Sequence, residues 1–202
     1  MGPIPQCNIG PPMKLVLAST SPRRADLLRA AGFSFEILPV HIDERFKRGE
    51  KPEKAVTRLA ETKAGAAAAL RHGAVVLAAD TSVIVRRQAL GKPVDPEDAK
   101  RMLMLLSGQW HEVLTGICVR VDRRRLVHVE LTRVRMAKLS RAEIDGYVAT
   151  GEPADKAGAY AVQGLASRFI EVIEGSYSNV VGLPISPVYN LLKQLGCDIL
   201  NI

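Results

Sequence analysis

The residues best suited to chemistry come early, in the run 18–24, which reads ASTSPRR. Ser21 followed by a proline is typical of a helix N-cap and first turn. The start of a helix stabilises an anion through unpaired backbone N–H groups, and the guanidinium groups of Arg23 and Arg24 can add paired contacts to oxygen atoms. With Ser19 beside them, these residues predict an anion site, although the pattern alone fits an ordinary helix start with solvated arginines equally well.

A second candidate is Asp80, which follows the continuous apolar run 74–79 (AVVLAA). Such a run predicts a strand buried on both faces, and open α/β sheets bind ligands at the carboxyl ends of their strands. A carboxylate there can hold Mg²⁺ or accept a proton from water, and Asp43 and Glu44 could complete a metal site. The alternative interpretation is that Asp80 caps a turn with the hydroxyl residues that follow it.

Two lysines add to this set. The spacing predicts a helix from 52 to about 71, and Lys63 lies on its apolar stripe. A lysine there must either extend to water, which is the commoner outcome, or meet an anion. Lys92 lies in a Gly-Lys-Pro turn just past a predicted hairpin that begins beside Asp80. Its ammonium group could return to the same place, although taken alone it would be a surface lysine.

The stretch 151–164 (GEPADKAGAYAVQG) combines small residues with polar ones. Small residues let a backbone approach a ligand closely, and the amide of Gln163 can read the donor and acceptor edges of a base. We interpret the stretch as a candidate ligand-lining loop, with an ordinary solvated loop as the alternative.

Hydrophobic periodicity and turn residues predict the elements that must position these groups. The predicted strands cover 14–18, 35–40, 74–79, 82–85, 88–90, 113–121, 125–137, 169–173 and 177–181. The predicted helices begin at Pro22, Pro52, Pro96, Ser140 and Pro184. Strands and helices are mixed throughout, with hairpins between βα units, so we expect an α/β fold built on a mixed sheet.

Composition is that of a packed globular protein, with 202 residues of which 47% are hydrophobic and 24% charged. We expect residues 13–202 to form a single domain, and residues 1–12, with four prolines and no periodicity, to be a disordered extension. Cys7, Cys118 and Cys197 lack the spacing of a disulfide framework or a zinc site, which favours a reducing compartment. Because neither a leader nor a membrane span is recognisable, we expect a cytoplasmic protein.

The net charge of +7 admits nucleic-acid binding, because a basic surface attracts polyanions. Its distribution favours a solvated sheet face, since 123–125 fall at a predicted hairpin turn and Arg133 and Arg135 share one face of the next strand. No recognised nucleic-acid motif accompanies these arginines. We therefore rank nucleic acid below a small anionic substrate as the partner.

Seven segments, in this order, resemble the Maf family of nucleoside triphosphate pyrophosphatases. They are LASTSPRR (17–24), LAETKA (59–64), AADT (78–81), GKP (91–93), LSGQWHEVLTG (106–116), GEPADKAGAYAVQG (151–164) and GSYSNVVGLP (175–184). The resemblance implies an elongated mixed sheet flanked by helices, with two lobes around a deep cleft, similar to inosine triphosphatases. It also implies hydrolysis of a nucleoside triphosphate between its α and β phosphates, with Mg²⁺ or Mn²⁺ as the cofactor.

The same resemblance assigns roles to individual residues. Asp80 would activate water as the proton acceptor and would share the metal with Glu44. Four residues would hold the triphosphate: Ser19, Arg24, Lys63 and Lys92. Three more, Arg23, Thr81 and Gln163, resemble the branch that prefers dTTP and UTP, with modified pyrimidine triphosphates as further candidates. The family also leaves open a homodimer and, as an alternative function, a non-catalytic nucleotide-binding regulator of cell division or septum formation.

Overall fold

The computed structural model describes residues 14–197; the extension predicted for residues 1–12 lies outside this range, as do residues 13 and 198–202. The strands in it are β1 (Leu15–Ala18), β2 (Phe35–Ile37), β3 (Val75–Val85), β4 (Gln88–Leu90), β5 (Trp110–Val121), β6 (Arg124–Met136) and β7 (Ile170–Glu174). They form one sheet in the order β2-β1-β3-β5-β6-β7, with β4 beside β3. β1 pairs in parallel with β2 and β3, and the other pairs are antiparallel. The predicted mixed α/β sheet is confirmed.

Helices flank the sheet, and local sequence explains where several of them begin. In the described range the α-helices are α1 (Pro22–Ala30), α2 (Pro52–Leu70), α3 (Pro96–Leu106), α4 (Arg141–Ala149), α5 (Tyr177–Val181) and α6 (Ile185–Gln194). Asp95 caps α3 by accepting a hydrogen bond from the N–H of Asp98 at 2.7 Å, and α4 starts with the predicted capping box of Ser140 and Glu143. None of these helices is long and apolar enough to cross a bilayer.

The apolar core is divided into clusters along the central strands. The first residues of β3, such as Leu77, pack with α1 and α6, whereas Val83 and Val85 at its other end pack with α3 and α4. The residues between these two clusters are polar: Asp80, Thr81 and Ser82. This polar interruption separates two lobes, and a cleft opens over it, as predicted.

Asp80 lies in the middle of a strand and not at its end, so this part of the prediction is wrong. β3 continues past Asp80 because β5 pairs with it on one side, with Gly116 opposite Asp80. On the other side of β3, β1 ends before it reaches Asp80, because its last residue Ala18 pairs with Ala78. β4 pairs with β3 only from Val83 onward. The edge of β3 is therefore uncovered between β1 and β4, and Asp80 lies in that gap.

The segment 177–181, predicted as a strand, forms the helix α5. Ser176 caps this helix, because its Oγ accepts a hydrogen bond from the N–H of Asn179 at 3.2 Å. Asn179 is fully buried, and its amide group donates to the carbonyl of Val113 and to Oγ1 of Thr132, each at 3.0 Å. These contacts with β5 and β6 override the strand preference of the branched residues nearby.

Three arginines of β6, which share one face of the sheet, are paired with acids. The pairs are Arg125 with Glu61 at 2.7 Å, Arg133 with Glu174 at 2.8 Å and Arg135 with Glu171 at 3.3 Å. The turn between β5 and β6 is shorter than the turn predicted at 123–125, since Val121 already pairs with Arg124. This face therefore carries both signs of charge.

Candidate functional site

A cleft of about 640 Å³ opens between the two lobes, over the uncovered edge of β3. Pockets of this size bind small organic ligands. Every residue to which the family resemblance assigns a role lines it: Ser19, Arg23, Arg24, Glu44, Lys63, Asp80, Thr81, Lys92 and Gln163. The tertiary structure thus brings together residues that lie up to 144 positions apart, from Ser19 to Gln163.

Lys63 joins the two carboxylates that were predicted for the site. Its Nζ lies 2.7 Å from Oδ1 of Asp80 and 2.6 Å from Oε1 of Glu44, and its side chain is 8% exposed. The apolar stripe of α2 carries this lysine beneath the cleft, where it meets anions instead of extending to water. The ammonium group contacts one oxygen of each carboxylate, which leaves each a second oxygen for other contacts.

Burial and the neighbouring cations shift the pKa values of these carboxyls in opposite directions. Burial raises the pKa of Asp80 above its ordinary value, and the charges of Lys63 and Arg24 offset this only in part. Burial also disfavours the ionised form of Glu44, but its hydrogen bond to Lys63 and the charges of Lys63, Lys92 and Arg24 together outweigh it, so that the pKa of Glu44 is lowered. Asp80 therefore binds a proton more readily than an ordinary aspartate, whereas Glu44 stays ionised more readily than an ordinary glutamate.

Glu44 belongs to the irregular segment between β2 and α2. Arg58 of α2 anchors this segment, since its guanidinium donates to the carbonyl of Arg45 at 3.2 Å and pairs with Glu50 at 2.7 Å. Asp43 pairs with Arg45 instead, at 2.7 Å. Of the two neighbouring carboxylates considered in the sequence, Glu44 is the one that the fold brings to Lys63.

The turn before α1 has the features of an anion site. Ser21 is at the N-cap position, yet in the described structure no side chain caps α1, and its first turn holds no acidic residue. The N–H of Ser21 donates to Oγ of Ser19 at 3.1 Å, and Arg23 stands beside them, 3.8 Å from Asp155. An uncapped helix start presents N–H groups and the positive end of the helix dipole.

Arg24 braces the site by contacts with the protein itself. Its Nε donates to the carbonyl of Gly182 at 2.8 Å, and its terminal nitrogens donate to the carbonyl of Ala79 at 2.9 Å and to Oγ1 of Thr81 at 3.1 Å. A further contact of 3.4 Å reaches Oγ of Ser19. Since these bonds use most of the donors of one guanidinium, Arg24 chiefly holds α1 against β3.

Lys92 and Gln163 lie on the other side of the cleft, and both residues are exposed. The loop that carries Gln163 is tied to the turn that carries Lys92, because the N–H of Gly158 donates to the carbonyl of Gly91 at 3.0 Å. The two residues therefore form one continuous wall.

Some of the lining residues were not predicted from the sequence. Ser82 lines the cleft two positions after Asp80 and is 4% exposed. Side chains alternate along a strand, so Ser82 could have been placed on the face of Asp80 had β3 been recognised as continuous. Arg45 and Phe46 also line the cleft because they neighbour Glu44, and no local pattern marks them.

His111 supports the cleft from behind its wall. It is 2% exposed, and its Nε2 lies 2.8 Å from the hydroxyl of Tyr160, a lining residue. Its Nδ1 is buried and, among residues 14–197, has no hydrogen-bond partner. Burial lowers the pKa of His111 to about 4.

We expect His111 to make the protein sensitive to mild acid. Its pKa falls on folding from 6.5 to about 4, so between these values the unfolded chain binds a proton that the folded protein excludes. The free energy of unfolding should drop by about 3 kcal/mol over this range on account of His111. Urea unfolding at about pH 7 and about pH 4 measures the drop.

The variant His111→Gln keeps a hydrogen-bonding partner for Tyr160 and should lose less stability on acidification than the parent protein. His41→Gln, at an exposed histidine, is the matched control and should behave like the parent. The same pH dependence in all three proteins would contradict the expectation.

An open helix start, the buried carboxylate of Asp80 and several cations in one cleft of a mixed α/β sheet define a protein that binds a small anionic ligand. The model of the family described as Maf-like protein matches residues 14–195. The chain belongs to the Maf family.

Relatives resemble the chain over nearly its whole length. A dTTP/UTP pyrophosphatase of Koribacter versatilis (strain Ellin345) is 48% identical over 94% of this chain and 97% of that protein. A dTTP/UTP pyrophosphatase of Anaeromyxobacter sp. (strain Fw109-5) is 52% identical over 91% of this chain and 90% of its own. Among solved structures, the Staphylococcus aureus Ham1 protein aligns at 15% identity with a TM-score of 0.47, over 90% of this chain and 99% of that one.

Proposed function

We propose that the protein hydrolyses dTTP and UTP between the α and β phosphates, releasing the nucleoside monophosphate and pyrophosphate. The observation that carries the proposal is the position of Asp80, buried beneath a cleft and paired with Lys63 where the edge of β3 is open. The names of the relatives from Koribacter and Anaeromyxobacter support the same reaction. Modified pyrimidine triphosphates fall within the proposed substrate class.

Asp80 acts as the proton acceptor in this reaction. A water molecule attacks the α phosphorus and passes a proton to Asp80, and the bond from the α phosphorus to the bridging oxygen breaks, so that pyrophosphate leaves. The raised pKa of Asp80 makes it a better base than an ordinary aspartate. The hydrogen bond from Lys63 orients the carboxylate, which is 11% exposed at its side chain.

Cations and N–H groups around the cleft stabilise the triphosphate and the charge that grows on the leaving group. Lys92 reaches the phosphates from the wall that it forms with Gln163. The start of α1 with Ser19 holds them from the opposite side of the cleft, which we call the near wall. Arg24 contributes mainly by keeping this near wall in place, because most of its donors are already bonded to the protein. Lys63 adds positive charge beneath the reacting group.

Asp80 and Glu44 would hold a divalent cation, Mg²⁺ or Mn²⁺. Within the described residues no group of three or more histidine, cysteine, aspartate or glutamate side chains is placed to hold a metal. Two carboxylates nevertheless fit the common mode in which Mg²⁺ is bound by one or two protein carboxylates together with water and substrate phosphates. When bound, the ion supplies positive charge next to the phosphate oxygens.

Selection of the base falls to Arg23, Thr81 and Gln163. The exposed amide of Gln163 can pair with the polar edge of a pyrimidine. Thr81 acts through the near wall, since its Oγ1 accepts from Arg24 and lies 2.9 Å from Oγ1 of Thr115.

We also place the protein in the cytoplasm, a proposal supported by the free thiols of Cys118 and Cys197.

A panel of triphosphates tests the reaction. With Mg²⁺ or Mn²⁺, the protein should release pyrophosphate from dTTP and UTP about tenfold faster or more than from purine triphosphates, in terms of kcat/KM. Product identification separates pyrophosphate from inorganic phosphate. Release of phosphate, or equal slow rates for all nucleotides, would refute the proposal, and tight nucleotide binding without turnover would favour the non-catalytic regulator instead.

A further inference from the structure

The loop between α4 and β7 is closed by one carboxylate. This loop carries Gln163 along the cleft wall, and Glu152 lies at its beginning. Oε2 of Glu152 accepts a hydrogen bond from the N–H of Leu165 at 2.9 Å, and Oε1 lies within 3.4 Å of the N–H of Ala166. Glu152, near the beginning of the loop, therefore binds the backbone two and three residues after Gln163.

Glu152 is also anchored to the core of its lobe. The hydroxyl of Tyr147 donates to Oε1 of Glu152 at 2.9 Å. Tyr147 is 1% exposed, and its ring meets that of Phe169 edge to face at a centroid distance of 5.8 Å. The carboxylate thus fixes the loop relative to α4, because it is bonded to both.

Gly164 shows how closely the backbone passes over this carboxylate. A Cβ atom at Gly164 would overlap the carboxylate carbon and oxygens of Glu152. Its φ of −105° is open to any residue, so the requirement for glycine is one of space and not of backbone conformation. Gly164 follows Gln163 directly, and this close approach therefore limits where Gln163 can lie.

We propose that Glu152 is a positioning residue for base recognition: by binding Tyr147 and the N–H groups that follow Gly164, it holds Gln163 at the depth that suits a pyrimidine. The inference rests on the proposed function, because it specifies how that same site selects its nucleotide. Glu152 itself does not touch the substrate.

The variant Glu152→Gln tests this with little change of volume. Its amide oxygen can still accept from Tyr147, but its NH₂ group faces the N–H of Leu165 and cannot accept from it. We expect KM for dTTP to rise about tenfold, the effect of losing one charge-assisted hydrogen bond, with kcat changed less than about threefold. The preference for dTTP over purine triphosphates should fall by a similar factor. Tyr147→Phe, which removes one donor, should show the same trend more weakly.

Glu143→Gln is the matched control. Glu143 belongs to the capping box at the start of the same helix α4, where it binds Ser140. This variant should lower thermal stability without altering KM or selectivity. If both variants change KM and selectivity alike, or if Glu152→Gln changes neither, the proposal for Glu152 is overturned.

A binding measurement separates failure of this proposal from failure of the proposed function. Calorimetry with the non-hydrolysable α,β-imido analogue of dUTP should give about tenfold weaker binding for Glu152→Gln and unchanged binding for Glu143→Gln. This result would support Glu152 as a positioning residue even if the parent protein released no pyrophosphate from any nucleotide, an outcome that would refute only the proposed reaction. Unchanged binding of the analogue by Glu152→Gln would overturn the inference while leaving the reaction intact.

Discussion

Replacing Asp80 with asparagine should lower kcat for pyrophosphate release from dTTP by about a hundredfold to ten-thousandfold, the range that general base catalysis contributes. Asparagine keeps the shape of the side chain, and its oxygen can still accept the hydrogen bond from Lys63. It cannot accept a proton from water at neutral pH, and it offers an ion a weaker ligand. The loss should therefore appear in turnover and not in folding.

The control for this change is Asp43→Asn. Asp43 undergoes the same chemical change one residue from Glu44, but it pairs with Arg45 instead of Lys63. Its variant should keep the turnover of the parent protein. Initial rates with pyrophosphate detection measure both variants, and circular dichroism verifies their folding. If a folded Asp80→Asn protein kept more than about a tenth of the parent rate, Asp80 would not be the base.

The variant Gly116→Ala should be the most damaging small change in the core. A Cβ atom at Gly116 would lie 2.5 Å from the carbonyl oxygen of Val56 and 2.9 Å from the nitrogen of Thr57, both in the backbone of α2. A flexible side chain could move away, but a helix backbone can yield only if the whole helix shifts. We expect a loss of about 4 kcal/mol in the free energy of unfolding and a decrease of about 10 °C in Tm.

The same substitution should also impair activity, because Gly116 lies directly opposite Asp80 and the helix that it would displace carries Lys63. Gly65→Ala is the matched control: its Cβ would meet only the end of the Arg120 side chain, at 3.8 Å, and alanine favours a helix over glycine. Thermal unfolding should show Gly65→Ala to be neutral or slightly stabilising. A Gly116→Ala protein with the Tm of the parent would show that α2 can move without cost.

Elements with local signals could be predicted from the sequence. The proline starts of α1, α2 and α3 and the cap of α4 each depend on a few neighbouring residues. The hairpin between β3 and β4 turns at Arg86 and Arg87, whose φ angles of 48° and 67° suit the tight turn that its two-residue length requires. These features need no knowledge of the rest of the fold.

The errors occurred where a segment's conformation depends on distant partners. β3 continues through Asp80 because β5 pairs with it there, and α5 forms a helix because Asn179 is bonded to β5 and β6. A polar residue after an apolar run resembles the end of a strand, and branched residues resemble a strand, until these partners are known.

By itself, the sequence determined which reactive groups the protein has and on which kind of element each lies, because periodicity, capping and turn residues act over a few positions. It was enough to place Lys63 on an apolar stripe and Arg23 and Arg24 at a helix start. Only the tertiary structure decided that Lys63 lies between Asp80 and Glu44, and that Arg24 is bonded mainly to the protein. These pairings depend on strand register and on the path of an irregular segment, neither of which has a period in the sequence. The raised pKa of Asp80 likewise arises from burial, which exists only once the lobes have packed.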